Sequence, residues 1–418
     1  MKANPRVHPV HVRAVAGLLD EADQGRAPAD VILAGHFRRH RQMGSRDRAL
    51  VGDLFYEVLR HRRLLDWRGG CPDNLARTLC ALAKRGWLDP GLARKFGGST
   101  PKPCLTPPTK DEFEALVPEV RYSLPDWLAR AWIARFGDEE ARALAAAMNR
   151  QAPVDLRANA LRLDRERLRE ILALDGIEAE LTPHAPDGLR LAGRQALAKL
   201  KAFKDGLFEV QDEGSQIVGL ASGVQPGMQV LDLCAGAGGK SLQMAAMMQG
   251  RGEIVACDVS ARRLQNLSPR ARRAGADNIR PMTIRDEQDP VLGRFRERFD
   301  VILVDAPCSG LGTLRRSPEL KWRDPDIFGL RGAQERLLEA ATRMLAPGGR
   351  VVYATCSLLE VENEQVMDAV LRAGTLVPAE LALPASLVEA PMARMTLLPH
   401  RHGTDGFFVA GLARGADG

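Results

Sequence analysis

The part of the chain after Gly206 leaves the least choice of fold. Short apolar runs at 229–233, 253–257, 301–304, 351–354 and 407–411 alternate with helical-period segments at 240–248, 261–274, 330–345 and 363–371. Strands that are apolar along their whole length have both faces covered, and alternation with amphipathic helices predicts an α/β fold: a doubly wound, mostly parallel sheet. The carboxyl ends of parallel strands share one edge, and ligands bind there. Candidate functional residues are therefore sought on that edge.

The first strand runs into Leu231-Asp-Leu-Cys-Ala-Gly-Ala-Gly-Gly-Lys-Ser241. A phosphate-binding loop would end in Gly239-Lys240-Ser241, but its first glycine would fall on Cys234, so that motif fails. A dinucleotide fingerprint lacks its third glycine. A nucleoside-binding turn remains, with Asp258 at the end of the next strand placed to accept hydrogen bonds from ribose hydroxyls. Two more strand ends carry chemistry: Val301-Ile-Leu-Val-Asp305-Ala-Pro-Cys308, and Arg350-Val-Val-Tyr-Ala-Thr-Cys-Ser357. Alone, a strand ending in Asp305 also suits the magnesium-binding acid of an ATPase. Ser357 followed by Glu360 predicts a helix start, which would set the Cys356 thiol beside a helix N-terminus and activate it. Alone, Cys356 reads first as a small apolar residue closing a buried strand.

Ahead of this region lie helical patterns over 8–67 and again over 125–149, then alternation at 154–159 and 189–191 around a helical stretch at 165–174. Residues 97–108 are dense in Gly and Pro. The expected organisation is a helical domain with linker over 1–108, a helical plus small α+β region over 109–205, and the α/β domain over 206–418. At 418 residues, two or three domains are the expectation. The net charge of +6, the pI near 9.0 and arginine clusters such as Arg38-Arg39-His40-Arg41 favour a polyanionic partner, nucleic acid first. Arg315, Arg316, Lys321 and Arg323 lie just beyond Cys308, where they could meet RNA phosphates or form an ordinary solvated surface. Seven scattered cysteines without a C-x-x-C or Cys/His cluster signal neither a metal site nor a disulfide framework. The absence of an apolar leader, or of any run of about 18 apolar residues, predicts a soluble, cytoplasmic protein without a membrane partner.

Asp305-Ala-Pro-Cys308 together with Thr355-Cys356-Ser357 resembles the RsmB-type RNA (cytosine-5) methyltransferases. The likeness runs from Gln211-Asp-Glu-Gly-Ser-Gln216, through Leu314-Arg-Arg-Ser-Pro-Glu-Leu-Lys-Trp-Arg323, to Asp405-Gly-Phe-Phe-Val-Ala410. It implies a Rossmann-like methyltransferase domain, S-adenosyl-L-methionine as cofactor, and an RNA cytosine as substrate. It further implies that Cys356 attacks the ring, that Asp305 holds the cytosine N3 edge, and that Cys308 helps resolve the adduct. Cofactor contacts carry over to Cys234, Ala235, Gly236, Ala237, Gly238, Gly239, Lys240, Asp258, Asp286 and Asp305. The chain departs from the family at Ala237, where a proline is usual. It also lacks the glycine before the acid in Thr283-Ile-Arg-Asp286-Glu-Gln-Asp289, which leaves Asp289 as an alternative to Asp286.

Ser45-Arg-Asp-Arg-Ala-Leu and Tyr56-Glu-Val-Leu-Arg-His-Arg-Arg resemble a NusB-like RNA-binding domain, which favours small-subunit ribosomal RNA over tRNA. The resemblance thus implies a 16S rRNA methyltransferase, expected to be monomeric and metal-free. A tRNA methyltransferase and a non-catalytic ribosome-assembly factor are the other readings; the second has no use for two thiols on one sheet edge.

Overall fold

The computed structural model describes residues 5–25, 27–70, 72–96, 109–193 and 195–415. They form two units: Met1–Gln151 with Thr313–Asp324, and Ala152–Gly312 with Pro325–Gly418.

In the second unit the chain first makes a small antiparallel sheet from β1 (Val154–Ala158), β2 (Ala179–Leu181), β3 (Gly188–Leu191) and β4 (Phe208–Val210), in the order β2-β3-β1-β4. The helix Arg165–Leu174 buries Leu168 and Leu172 against it. Because β4 pairs with β1 (Leu156↔Val210), the small sheet runs past the boundary expected at 205. Three residues are too few to show a period, so β4 was invisible in the sequence.

The large sheet comprises β5 (Gln229–Asp232), β6 (Glu253–Asp258), β7 (Ile279–Thr283), β8 (Phe299–Asp305), β9 (Leu345–Thr355), β10 (Leu376–Pro378), β11 (Arg394–Leu397) and β12 (Phe407–Arg414). Its order is β10-β12-β9-β8-β5-β6-β7, with β11 beside β12. Strands β5 to β9 pair in parallel, whereas β12 runs antiparallel to β9. The α/β expectation is therefore met by a mostly parallel sheet with an antiparallel flank. Val301 to Val304 and Val351 to Ala354 are almost wholly buried. Each buried Val, Ile or Leu among them contributes about 1.5–3 kcal/mol, and a one-residue slip would turn them all over. From β5 the chain builds outward through β6 and β7, then returns to lay β8 on the other side. The switch point thus falls between β5 and β8, so the turn after Asp232 and the end of β8 at Asp305 are neighbours.

The first unit is helical. Pro9–Asp23, Ala29–Arg39, Ser45–Gly69 and Asn74–Lys84 share a core that includes Val15, Phe55, Val58 and Leu79. The helix Asn74–Lys84 lies beyond the helical pattern read over 8–67. Cys80 in it is disulfide-bonded, which the cysteine spacing did not signal. Asp126–Phe136 and Asp138–Met148 form as the periodicity predicts. The linker expected at 97–108 lies outside the described residues.

Candidate active site

The glycine turn is built by backbone geometry. Gly236 (φ 57°) and Gly238 (φ 82°) are both left-handed, and a Cβ on Gly238 would stand 2.1 Å from a Leu267 methyl, so only glycine fits there. Gly238 N-caps the helix Gly239–Met247. Asp258 ends β6 with one oxygen accepting from Gly236 N (2.8 Å) and the other from Ser260 N (2.7 Å). The acid expected on a ribose therefore also shapes the turn. Arg270 braces the turn from outside, donating to Ala237 O, and is itself held by Glu209 at 2.9 Å. That brace acts at the residue where the family has proline.

Asp232, beneath the turn, is fully buried. Its Oδ2 accepts from Ser241 Oγ (2.6 Å), while Oδ1 has no hydrogen-bond partner. Burial, with Asp305 and Asp258 nearby, pushes its pKa up to about 7. Cys234 is likewise raised by burial and by the same acids, so it is an inert thiol. The Lys240 ammonium lies 2.6 Å from Asp305 Oδ2. Burial works against its charge, but Asp305 outweighs that and raises its pKa; the charge of Cys356 acts in the same direction.

The two cysteines meet. Cys308, past the end of β8, and Cys356, past the end of β9, have their sulfurs 3.4 Å apart, both half-buried. The hydrogen bond to Cys356 and burial raise Cys308 well above the usual thiol pKa, so it holds its proton. Gly312 packs on the Cys356 loop: its N–H donates to Cys356 O at 2.8 Å, and a Cβ there would stand 2.0 Å from Gly406 O. The helix expected to start at Ser357 does not. A short 3-10 turn, Glu360–Glu362, intervenes, and the helix begins at Glu364. Ser357 Oγ accepts from Leu359 N but also donates to Glu362, so the capping pattern serves a loop. Cys356 is not at a helix N-terminus.

Of the two loop acids beyond β7, Asp289 caps the turn Pro290–Phe295 and accepts from Arg285 N, whereas Asp286 is exposed and takes Gln288 N on one oxygen. Asp286 is thus the freer carboxylate. Three of the four basic residues expected to meet RNA are placed otherwise. Lys321 is buried, donating to Arg60 O (2.9 Å), Ser123 O (3.2 Å) and Asn149 Oδ1 (2.7 Å). Arg315 is buried, Arg316 is half-buried, and Arg323 donates to Ala27 O. Lys321, Arg315 and Arg323 hold the helical unit together, a role that sequence position alone could not distinguish from a basic surface. Among the described residues, no cluster of His, Cys, Asp and Glu could hold a metal ion. Nothing in the sequence marks Glu362 or Asp232, and Arg270 reads there only as part of an arginine cluster, Arg270 to Arg273.

A solved structure, PH0851, superposes with a TM-score of 0.78 and 26% identity over 98% of this chain and 99% of its own. With that fold, the glycine turn, its acids and the paired strand ends define a Rossmann-like, S-adenosylmethionine-dependent methyltransferase. Residues 221–413 match the family described as 16S rRNA methyltransferase RsmB/F, and residues 124–198 match the ferredoxin-like domain of the RsmF/B-like methyltransferases. The probable ribosomal RNA small subunit methyltransferase B of Synechocystis sp. is 35% identical over 70% of this chain and 67% of its own length. The ribosomal RNA small subunit methyltransferase B of Pectobacterium carotovorum is 30% identical over 99% of this chain and 100% of its own. The chain belongs to the RsmB/F family of small-subunit rRNA methyltransferases.

Proposed function

We propose that this protein methylates C5 of a cytosine in 16S rRNA through a covalent bond between Cys356 and C6 of the ring. The observation that carries the reading is the 3.4 Å approach of the Cys308 and Cys356 sulfurs, beside the Lys240–Asp305 ion pair. Cytosine C5 is a weak nucleophile, and a thiolate adding at C6 makes C5 electron-rich. S-adenosylmethionine, when bound, supplies an electrophilic methyl group.

The turn from Cys234 to Lys240 presents its backbone to that cofactor. Asp258 faces its ribose and Asp286 its adenine end. The unpartnered Oδ1 of Asp232 beneath the turn fits a polar ligand held at this edge. Asp305 has one oxygen on the Lys240 ammonium; in this reading its other oxygen accepts from the cytosine amine, and Lys240 meets the negative charge that gathers on N3. Lys240, which also donates to Asp305 Oδ2 at 2.6 Å, is in this reading the proton donor toward N3. In the addition, the Cys356 sulfur pair forms the bond to C6 and the ring electrons move to C5 and N3. After methylation, C5 loses its proton to water and the C6–S bond breaks, returning the electron pair to Cys356. The Cys308 S–H donates to that leaving sulfur.

The exposed Arg38, Arg39 and Arg41 of the helical unit are candidate phosphate contacts, and the NusB-like likeness of that unit supports a ribosomal, cytoplasmic target. Bisulfite sequencing of RNA from cells lacking the gene, complemented with wild type or Cys356→Ala, tests the reading. One 16S position is expected to lose 5-methylcytosine and to regain it only with wild type. Unchanged 5-methylcytosine in every RNA would sink the assignment, and a loss confined to tRNA would move the target. Cys308→Ser is expected to accumulate a protein–RNA adduct through Cys356, visible as a gel shift under denaturing conditions.

A further inference from the structure

Each of the two cysteines is followed by a serine, and one buried carboxylate holds both serines. Glu362 has no exposed surface. Its Oε1 accepts from Ser309 N at 2.8 Å and from Gln334 Nε2 at 3.4 Å. Its Oε2 accepts from Ser309 Oγ at 2.6 Å and from Ser357 Oγ. The two serine oxygens are themselves 3.2 Å apart. The glutamate is pinned in turn: Tyr353 donates to its carbonyl at 2.6 Å, and the adjacent Asn363 bonds Thr355 Oγ1 (2.6 Å) and Ser357 O (3.0 Å). Four donors on one buried carboxylate offset much of the cost of removing it from water.

We propose that Glu362 is the positioning residue of the dithiol, clasping the residue after each cysteine so that the two sulfurs stay within hydrogen-bond reach. The role deepens the cytosine reading and rests on it. Strands β8 and β9 are paired up to Asp305 and Ala354. Beyond those residues the two chains leave the ladder, and the clasp ties together the loops that carry the sulfurs. Ser309 N and the Gln334 amide can only donate, so Oε1 must accept, and the negative charge strengthens the bonds that both serine hydroxyls donate to Oε2. A glutamine in its place would keep the acceptor on one side but meet the serines with an NH2 group and lose the charge-assisted bonds. The negative charge of Glu362 is also among the causes that keep the proton on Cys308.

Dibromobimane, which becomes fluorescent on bridging two close thiols, reads the sulfur spacing without RNA. Glu362→Gln is expected to slow Cys308–Cys356 bridging, mapped by peptide mass spectrometry, about tenfold, the equivalent of one lost hydrogen bond. Methyl transfer is expected to lose about a hundredfold in kcat, the cost of misplacing reacting atoms by about 1 Å. The KM for RNA and the Kd for S-adenosylmethionine should not change. Adding Ser357→Ala to Glu362→Gln should cost little more, because both act through the same clasp. If Glu362→Gln does not fold, Ser309→Ala removes a single hydroxyl and carries the same measurements. Bridging at the wild-type rate in a folded variant overturns the clasp, whatever the RNA result. Normal bridging in wild type without any cytosine adduct would instead defeat the cytosine reading and leave the clasp to be judged by the bridging data alone.

Discussion

Asp232 and Glu362 are buried acids met by donors, yet only Asp232 keeps an unpartnered oxygen, and its pKa is raised from 3.8 to about 7. A carboxyl raised in this way stabilises the fold fully below its unfolded pKa, and the contribution is lost as pH rises through about 7. Wild type is therefore expected to lose stability relative to Asp232→Asn between about pH 4 and 7, by up to about 1.4 kcal/mol per pH unit. Urea unfolding of both proteins across that range measures it, and parallel curves would refute the assignment. At this scale the sequence revealed the paired thiols, because Asp305-Ala-Pro-Cys308 and Thr355-Cys356-Ser357 end two strands of one sheet. The supporting acids stayed hidden. Glu362 lies in an acidic stretch, Glu360-Val-Glu362-Asn-Glu364, that reads as a solvated helix start, and only the fold turns it inward.

The glycine turn depends on packing from neighbouring elements. Arg270 comes from the helix Leu267–Ala274, and on the other side Arg157 of β1 hydrogen-bonds Gln211 and donates to Gly239 O at 2.9 Å. The small sheet and the helix Leu267–Ala274 thus both grip one loop. Arg270→Ala is expected to raise the Kd for S-adenosylmethionine roughly tenfold, about one hydrogen bond to the turn, while kcat at saturation stays near wild type. Calorimetric titration beside single-turnover kinetics separates the two effects. Helix interiors were legible from their period, as at Arg165–Leu174. Strand β7 was not: it reads Ile-Arg-Pro-Met-Thr, and its proline argues against a strand. At the sheet edge, where β7 pairs only with β6, a proline is tolerated.

On the scale of the whole molecule, the segment Thr313–Asp324 belongs to the helical unit although it follows Cys308 in the sequence. Trp322 Nε1 donates to Leu59 O at 2.7 Å, Arg62 stacks over the Trp322 ring, and Arg60 reaches Arg315 O at 2.9 Å. Burial and the nearby Arg60 draw the Lys321 pKa well below its usual value. Lys321→Ala is expected to destabilise the helical unit by about 3 kcal/mol, because three oxygens lose their donor. The slope of log Kd for RNA against log salt should not change, whereas loss of a phosphate contact would lower it by about one. A salt slope that falls would return Lys321 to the RNA surface.

The same threading has a consequence for birth order. A nascent chain is made from its N-terminus and folds as it emerges. The first 151 residues here can collapse early, but the pieces that finish their core, Trp322 and Lys321 among them, leave the ribosome only after β8 and Cys308 have been made. The helical unit therefore completes itself late, with β5 to β8 already in existence and β9 still to come, and a truncated product ending before residue 313 would carry an open seam rather than a finished domain.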